Sequence, residues 1–226
     1  MFKSFQTAEL IQAAKSGNLS LVRSISKRDP QSIENKNNDG DTALLVAANS
    51  GHLPVVQYIL EKFPQSIENK NIRGDTALLM ATASGHLPVM QYILEKFPQS
   101  IEDKNNDGDT ALIRATAGGH LPVVQYILEK FPQSIEDKNN DGDTALIRAT
   151  AGGHLPVMQY ILEKFPQSIE DKNIRGDTAL LMVTASGHLP VVQYILEKFP
   201  QSIEDKNNDG DTALIRATAG GHLPVV

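Results

Sequence analysis

Gly40-Asp41-Thr42-Ala43-Leu44-Leu45-Val46-Ala47-Ala48-Asn49-Ser50-Gly51-His52-Leu53-Pro54-Val55-Val56 decides the reading of this chain, because its parts return at a fixed step. The string Gly-Asp-Thr-Ala-Leu restarts at Gly74, Gly108, Gly142, Gly176 and Gly210, each 34 residues after the last. Gly-His-Leu-Pro-Val keeps the same step from Gly51 to Gly221. A period of this kind marks a stack of small supersecondary units, none of which buries its apolar face alone.

Within one unit, Leu44, Ala47, Ala48 and Gly51 follow the i, i+3, i+4, i+7 spacing of a helix face. Thr42 stands where an N-cap hydroxyl accepts from the free N–H groups of the first turn. Gly51 ends this helix at a C′ position, where a left-handed backbone needs no Cβ. A second helix comes next, with Pro54 in its first turn and Leu53, Val56, Ile59, Leu60 and Phe63 turned inward. Pro64 stops it, and a turn-rich connector runs on to Asp75.

The first 38 residues join the register loosely. Ala13-Ala14, Gly17 and Pro30 lie 34 residues before Ala47-Ala48, Gly51 and Pro64, but the Gly-Asp-Thr string is missing. Asn18, Ser20, Arg23, Ser24 and Ser26 replace later His, Pro, Gln, Tyr and Leu, the polar substitution expected of a unit that caps a stack against water. The chain is therefore read as one domain over residues 1–226. It comprises a capping unit 1–38, full units 39–72, 73–106, 107–140, 141–174 and 175–208, and a seventh, 209–226, cut inside its second helix. That cut predicts a longer parent protein.

Asp-Gly-x-Thr-x-Leu, then Ala-Ala, then Gly-His-Leu-x-Val-Val resembles the ankyrin repeat, over essentially the whole chain. The resemblance implies an all-α solenoid of stacked antiparallel helix pairs joined by turn-rich connectors. It also implies a non-enzymatic scaffold that binds a protein in a concave groove. Two departures stand out. The unit has 34 residues where the family usually has 33, the extra one falling near Lys62-Phe63-Pro64-Gln65-Ser66. The family's Thr-Pro-Leu-His becomes Thr-Ala-Leu-Leu or Thr-Ala-Leu-Ile, so its unit-tying histidine is Leu45, Leu79, Ile113, Ile147, Leu181 or Ile215. The expectation is that packing, rather than hydrogen bonds, ties the units.

Composition narrows the function classes. The 226 residues carry 27 acids, 21 bases and a net charge of −6, which disfavours a nucleic-acid partner. Without cysteine there is no disulfide, thiolate metal site or thiol nucleophile. No apolar run is long enough to span a bilayer, and the first residues lack a secretory core. The expectation is an intracellular, cytoplasmic monomer without cofactor or metal, not inserted in a membrane, whose partner is a protein. All six histidines (His52, His86, His120, His154, His188, His222) share one repeat position, which reads as a helix start or loop bridge rather than an active site. Asp103-Lys104-Asn105-Asn106-Asp107-Gly108 imitates the front of a calcium loop, but Arg114 stands where that loop needs its bidentate glutamate. Arg73-Gly74-Asp75 and Arg175-Gly176-Asp177 spell an adhesion tripeptide, which one replacement in the repeated Asp-Gly-Asp turn also produces.

Positions that differ between near-identical units carry the remaining information. The connector tip is Asn-Asp at 38–39, 106–107, 140–141 and 208–209 but Ile-Arg at 72–73 and 174–175. One first-helix position reads Val46, Met80, Arg114, Arg148, Met182 and Arg216. By resemblance to the family, tips and first helices line the groove, so the expected contacts are Asp39, Ile72, Arg73, Met80, Asp107, Arg114, Asp141, Arg148, Ile174, Arg175 and Met182. Residues 71–124 recur almost unchanged from Asn173 onward, so duplication of a three-unit block accounts for the 102-residue spacing as well as a partner does. The alternative function is the recognition arm of a longer enzyme or effector whose catalytic part lies beyond Val226.

Overall fold

The computed structural model describes residues 2–222. Among them are thirteen α-helices, six short 3-10 turns and no strand. The helices are α1 (Phe2–Lys15), α2 (Leu19–Arg28), α3 (Ala43–Asn49), α4 (Leu53–Lys62), α5 (Ala77–Ala83), α6 (Leu87–Lys96) and α7 (Ala111–Ala117), then α8 (Leu121–Lys130), α9 (Ala145–Ala151), α10 (Leu155–Lys164), α11 (Ala179–Ser186), α12 (Leu189–Lys198) and α13 (Ala213–Ala219). None of the described helices is long and apolar enough to cross a membrane. The second helix of the seventh unit, expected from Leu223, lies outside the described residues.

The chain forms two compact units, Met1–Ala111 and Leu112–Val226. In the first, α1 packs on α2 and α3, α3 on α4 and α5, and α5 on α6, with α2, α4 and α6 as neighbours. In the second, α9 packs on α10 and α11, α11 on α12 and α13, and α8 on α10. Each unit is thus a stack of antiparallel helix pairs, the ankyrin-repeat solenoid architecture.

Among the first helices, α3 and α5 are short and closed in on nearly every side. In α3, Ala43, Leu44, Leu45, Val46, Ala47 and Ala48 are all buried, not only the stripe that the spacing picks out. A helix that is apolar all round belongs between neighbours, and its alanines let those neighbours approach. The second helices are amphipathic. In α4, Val55, Val56, Ile59 and Leu60 turn inward, while Leu53 and Phe63 are only half-buried, contrary to expectation. Phe63 sits at the C-cap, outside the helical spiral that carries the inward face. Pro64 does more than stop α4: it opens a 3-10 turn over Pro64–Glu68.

Gly51 takes φ +76°, as its C′ position demands. Thr42 does occupy the N-cap, but its hydroxyl makes no cap bond and is buried without a partner. Thr76, Thr144 and Thr212 reach the backbone N–H of Leu79, Ile147 and Ile215 only at 3.5 Å. The cap hydroxyl contributes little to these helices, which rest on burial instead.

Candidate partner-binding surface

The connector is built around one asparagine per unit. Asn71 Oδ1 accepts from the backbone N–H of Arg73 and Asp75, both at 3.0 Å, which folds the chain into a tight tip. Its Nδ2 donates to Asp41 Oδ1 of the preceding unit at 3.0 Å. Asn105 repeats this on Asp75, Asn173 on Asp143 and Asn207 on Asp177, at 2.9–3.0 Å. The same amide therefore shapes its own tip and ties it to the unit before.

Histidine supplies a second tie at the other end of the pair. His52 Nε2 donates to Lys15 O, His86 to Asn49 O and His154 to Ala117 O, each at 2.9 Å. His188 and His222 do the same to Ala151 O and Ala185 O at 3.2 and 3.0 Å. Each acceptor is a carbonyl, so the Nε2 of each ring carries the proton. The expectation that packing alone ties the units is corrected here: the family's histidine position is apolar, but another histidine, at the start of the second helix, makes the bond. Each ring also lies over the left-handed glycine of the unit before. A Cβ on Gly119 would fall 2.5 Å from His154 Nδ1.

Neighbouring tips are joined by backbone rungs. Ile72 N donates to Asp39 O (3.1 Å) and Asn106 N to Arg73 O (2.9 Å); in the second unit Ile174 N donates to Asp141 O (3.0 Å) and Asn208 N to Arg175 O (2.9 Å). Asp39, Ile72, Arg73 and Asp107 thereby share one exposed edge in the first unit, and Asp141, Ile174 and Arg175 in the second. Ile72 and Ile174 are 66% and 65% exposed.

The first-helix row behaves differently. Met80 is only 5% exposed, its sulfur facing the Asn71 amide at 3.9 Å, and Met182 is half-buried. Arg114 and Arg148 are half-buried, and Arg148 Nη1 lies 3.6 Å from the buried Asp143. Arg216 bridges Asp177 at 3.3 Å and its own unit's Asp211 at 3.8 Å. Where the helix carries methionine, the tip supplies the cation: Arg73 Nε lies 3.3 Å from Asp75, and Arg175 Nε 3.4 Å from Asp177. Beyond the repeat of Asp39 and Val46, which has neither arginine, tip and helix thus vary together, Ile-Arg with Met and Asn-Asp with Arg, and Asp177 is met from both sides, by Arg175 and Arg216. Sequence reasoning put both positions in one groove; the buried carboxylate that couples them is what it did not find, although the alternation of Ile-Arg with Met and Asn-Asp with Arg was the available signal.

Other sequence motifs resolve into scaffold. Asp75 and Asp177, the acids of the two Arg-Gly-Asp strings, are fully buried and face their own arginines. Asn105, third in the calcium-like string, has its amide engaged by two backbone N–H groups and Asp75. Among the described residues no group of three or more His, Cys, Asp or Glu side chains is placed to hold a metal. Burial raises the Asp103 and Asp171 carboxyls above the usual aspartate range; hydrogen bonds from Thr76 and Thr144 and the charges of Lys70 and Lys138 pull the other way.

A family model described as ankyrin repeats (3 copies) matches residues 10–105, 97–175 and 165–226, and the chain belongs to that family. No curated protein matches it. Among solved structures, it is similar to a chain from the complex of the Bd0816 predatory endopeptidase of Bdellovibrio bacteriovorus with immunity protein Bd3460. That match has a TM-score of 0.70 and 26% identity, covering 84% of this chain and 97% of that one. The ankyrin repeat domain of human ASB11 matches at a TM-score of 0.78 and 19% identity, covering 92% and 90%, a likeness of fold.

Proposed function

We propose that the chain is a non-enzymatic interaction module whose partner, a protein, docks across the connector tips and the adjoining first-helix row. The observation that carries this reading is a division of roles. The repeated histidines, asparagines and buried aspartates are engaged in ties between repeats, whereas the tip positions that differ between repeats, 72–73 and 174–175 against their equivalents, are exposed. In these rings Nε2 donates to a carbonyl and Nδ1 lies against the glycine of the repeat before, so both nitrogens face the scaffold, which favours binding over catalysis. The endopeptidase–immunity protein complex among the structural neighbours favours a folded protein as partner over a small molecule.

Affinity capture with three baits, the wild-type chain and two variants, tests the reading. In one variant Ile72→Asn, Arg73→Asp and Met80→Arg, with the same trio at Ile174, Arg175 and Met182, make those units copy their neighbours while keeping each buried carboxylate accompanied. Glu129→Lys on the exposed face of α8 is the control. Partners held by the wild-type chain and by the control, yet lost from the trio variant, are the expected result. Capture that survives the trio and fails with Glu129→Lys would move the site to the second helices. Arg148→Glu is the wrong probe, because it sets a second carboxylate beside buried Asp143 and would unfold what it means to test.

A further inference from the structure

The exposed isoleucines are unfavourable to the scaffold. At the equivalent position, Asn106 covers the glycine before it, Gly74, and donates Nδ2 to Ile72 O at 3.0 Å; Asn208 does the same over Gly176 to Ile174 O at 3.0 Å. Ile72 and Ile174 cover Gly40 and Gly142 with a γ-methyl but have no amide to donate. Each gives up a bond that asparagine makes elsewhere and leaves a large apolar side chain about two-thirds in water. The adjacent Arg73 and Arg175 lie beside the buried Asp75 and Asp177; the isoleucine side chains add only the methyl over a glycine.

We propose that Ile72 and Ile174 are the centres of two equivalent docking sites, one in each compact unit, for the same kind of ligand: an extended protein segment with an apolar and an acidic residue at its middle and a basic residue on either side. This rests on the proposed interaction role and adds its valency and partner chemistry. Charge complementarity selects the ligand. Ile72 with its exposed Arg73 stands between the exposed Asp39 and Asp107 tips, and Ile174 with Arg175 between Asp141 and Asp209. The apolar residue covers the isoleucine, its acidic neighbour meets the outer guanidinium, and the flanking cations meet the aspartates. Each tip folds back on itself, Asn71 N donating to Asp75 O at 3.2 Å. Two strand spacings per tip come to ~10 Å, so an extended segment rising ~3.3 Å per residue needs about three residues between tips.

The probe is the peptide acetyl-Lys-Gly-Ser-Leu-Glu-Ser-Gly-Lys-amide, titrated calorimetrically into the full chain, with a control peptide carrying Glu at both ends. Asparagine already occupies the isoleucine position in four other tips, so Ile72→Asn and Ile174→Asn are substitutions the fold accepts. We expect two equal sites in the wild-type chain, one in either variant, none in the double variant, and at least tenfold weaker binding of the control peptide. No binding by the wild-type chain, or binding unchanged in the double variant, would overturn the proposal. A single site in the wild-type chain would overturn the pairing of sites; the interaction role would still stand if captured partners depend on the trio variant.

Discussion

Asn105 joins two repeats through one side-chain amide. Its amide satisfies the N–H of Asp107 and of buried Asp109 and holds buried Asp75 in the unit before. Truncation removes the acceptor of two backbone N–H groups and the donor to one oxygen of the buried Asp75 carboxylate, so Asn105→Ala should destabilise by about 3 kcal/mol. Asn106→Ala, which removes one exposed bond, should cost about 1 kcal/mol. Urea unfolding compares the two, and equal costs would refute the hub. Arg73 makes a coupled prediction. Arg73→Asp alone should destabilise, and adding Met80→Arg should restore roughly 0.5–2 kcal/mol, because the cation returns from the helix side. A double-mutant cycle that sums to zero would mean that tip and helix do not share the carboxylate. Gly119→Val should be among the most damaging single changes, since it forces a branched residue to φ +72° and into the His154 ring. Sequence spacing located that glycine, but not the ring over it. Residues 35 positions apart meet only once the stack is built, and no local pattern records it.

At the level of the elements, helix starts and stops were legible because proline and glycine act locally. The burial of α3 on all sides was not, since a stripe belongs to one helix while burial comes from its neighbours. The 3-10 turn after each second helix was also missed: Pro64 reads as a stop, and the local sequence does not reveal the turn behind it. That turn yields a pH prediction. Glu34 accepts from Ser66 Oγ and Asn69 Nδ2, both at 2.7 Å, but later units replace this asparagine with Asp103, Asp137, Asp171 and Asp205. Because burial raises the folded-state carboxyls of Asp103 and Asp171, the native chain binds protons there that the unfolded chain has released. Their contribution is present below the ordinary aspartate range and is lost as pH rises through the raised folded value. Asp103→Asn and Asp171→Asn should therefore stabilise the chain at neutral pH, and the advantage should shrink as pH falls through that window. Thermal melts across the acid range measure this; an advantage that grows on acidification would reverse the sign.

For the molecule as a whole, the repeat made the architecture legible and the partner surface only half so. Periodicity identifies the scaffold because every tie recurs with it: histidine to carbonyl, asparagine to aspartate, tip to tip. The proposed partner surface lies where periodicity breaks, and there the sequence offered Ile72, Arg73 and Met80 as one undivided group. The structure separates them. Met80 is buried, Arg73 accompanies Asp75, and Ile72 is two-thirds exposed, with a methyl over Gly40. The central claim is that partners dock on tips and first helices. Amide hydrogen exchange of the chain, free and saturated with a captured partner, tests it most directly. The account predicts slowed exchange at the tips, residues 37–41, 71–75 and 105–109 with their equivalents, and in the first helices. Slowing confined to α4, α6, α8 and α10, with the tips unchanged, would contradict it.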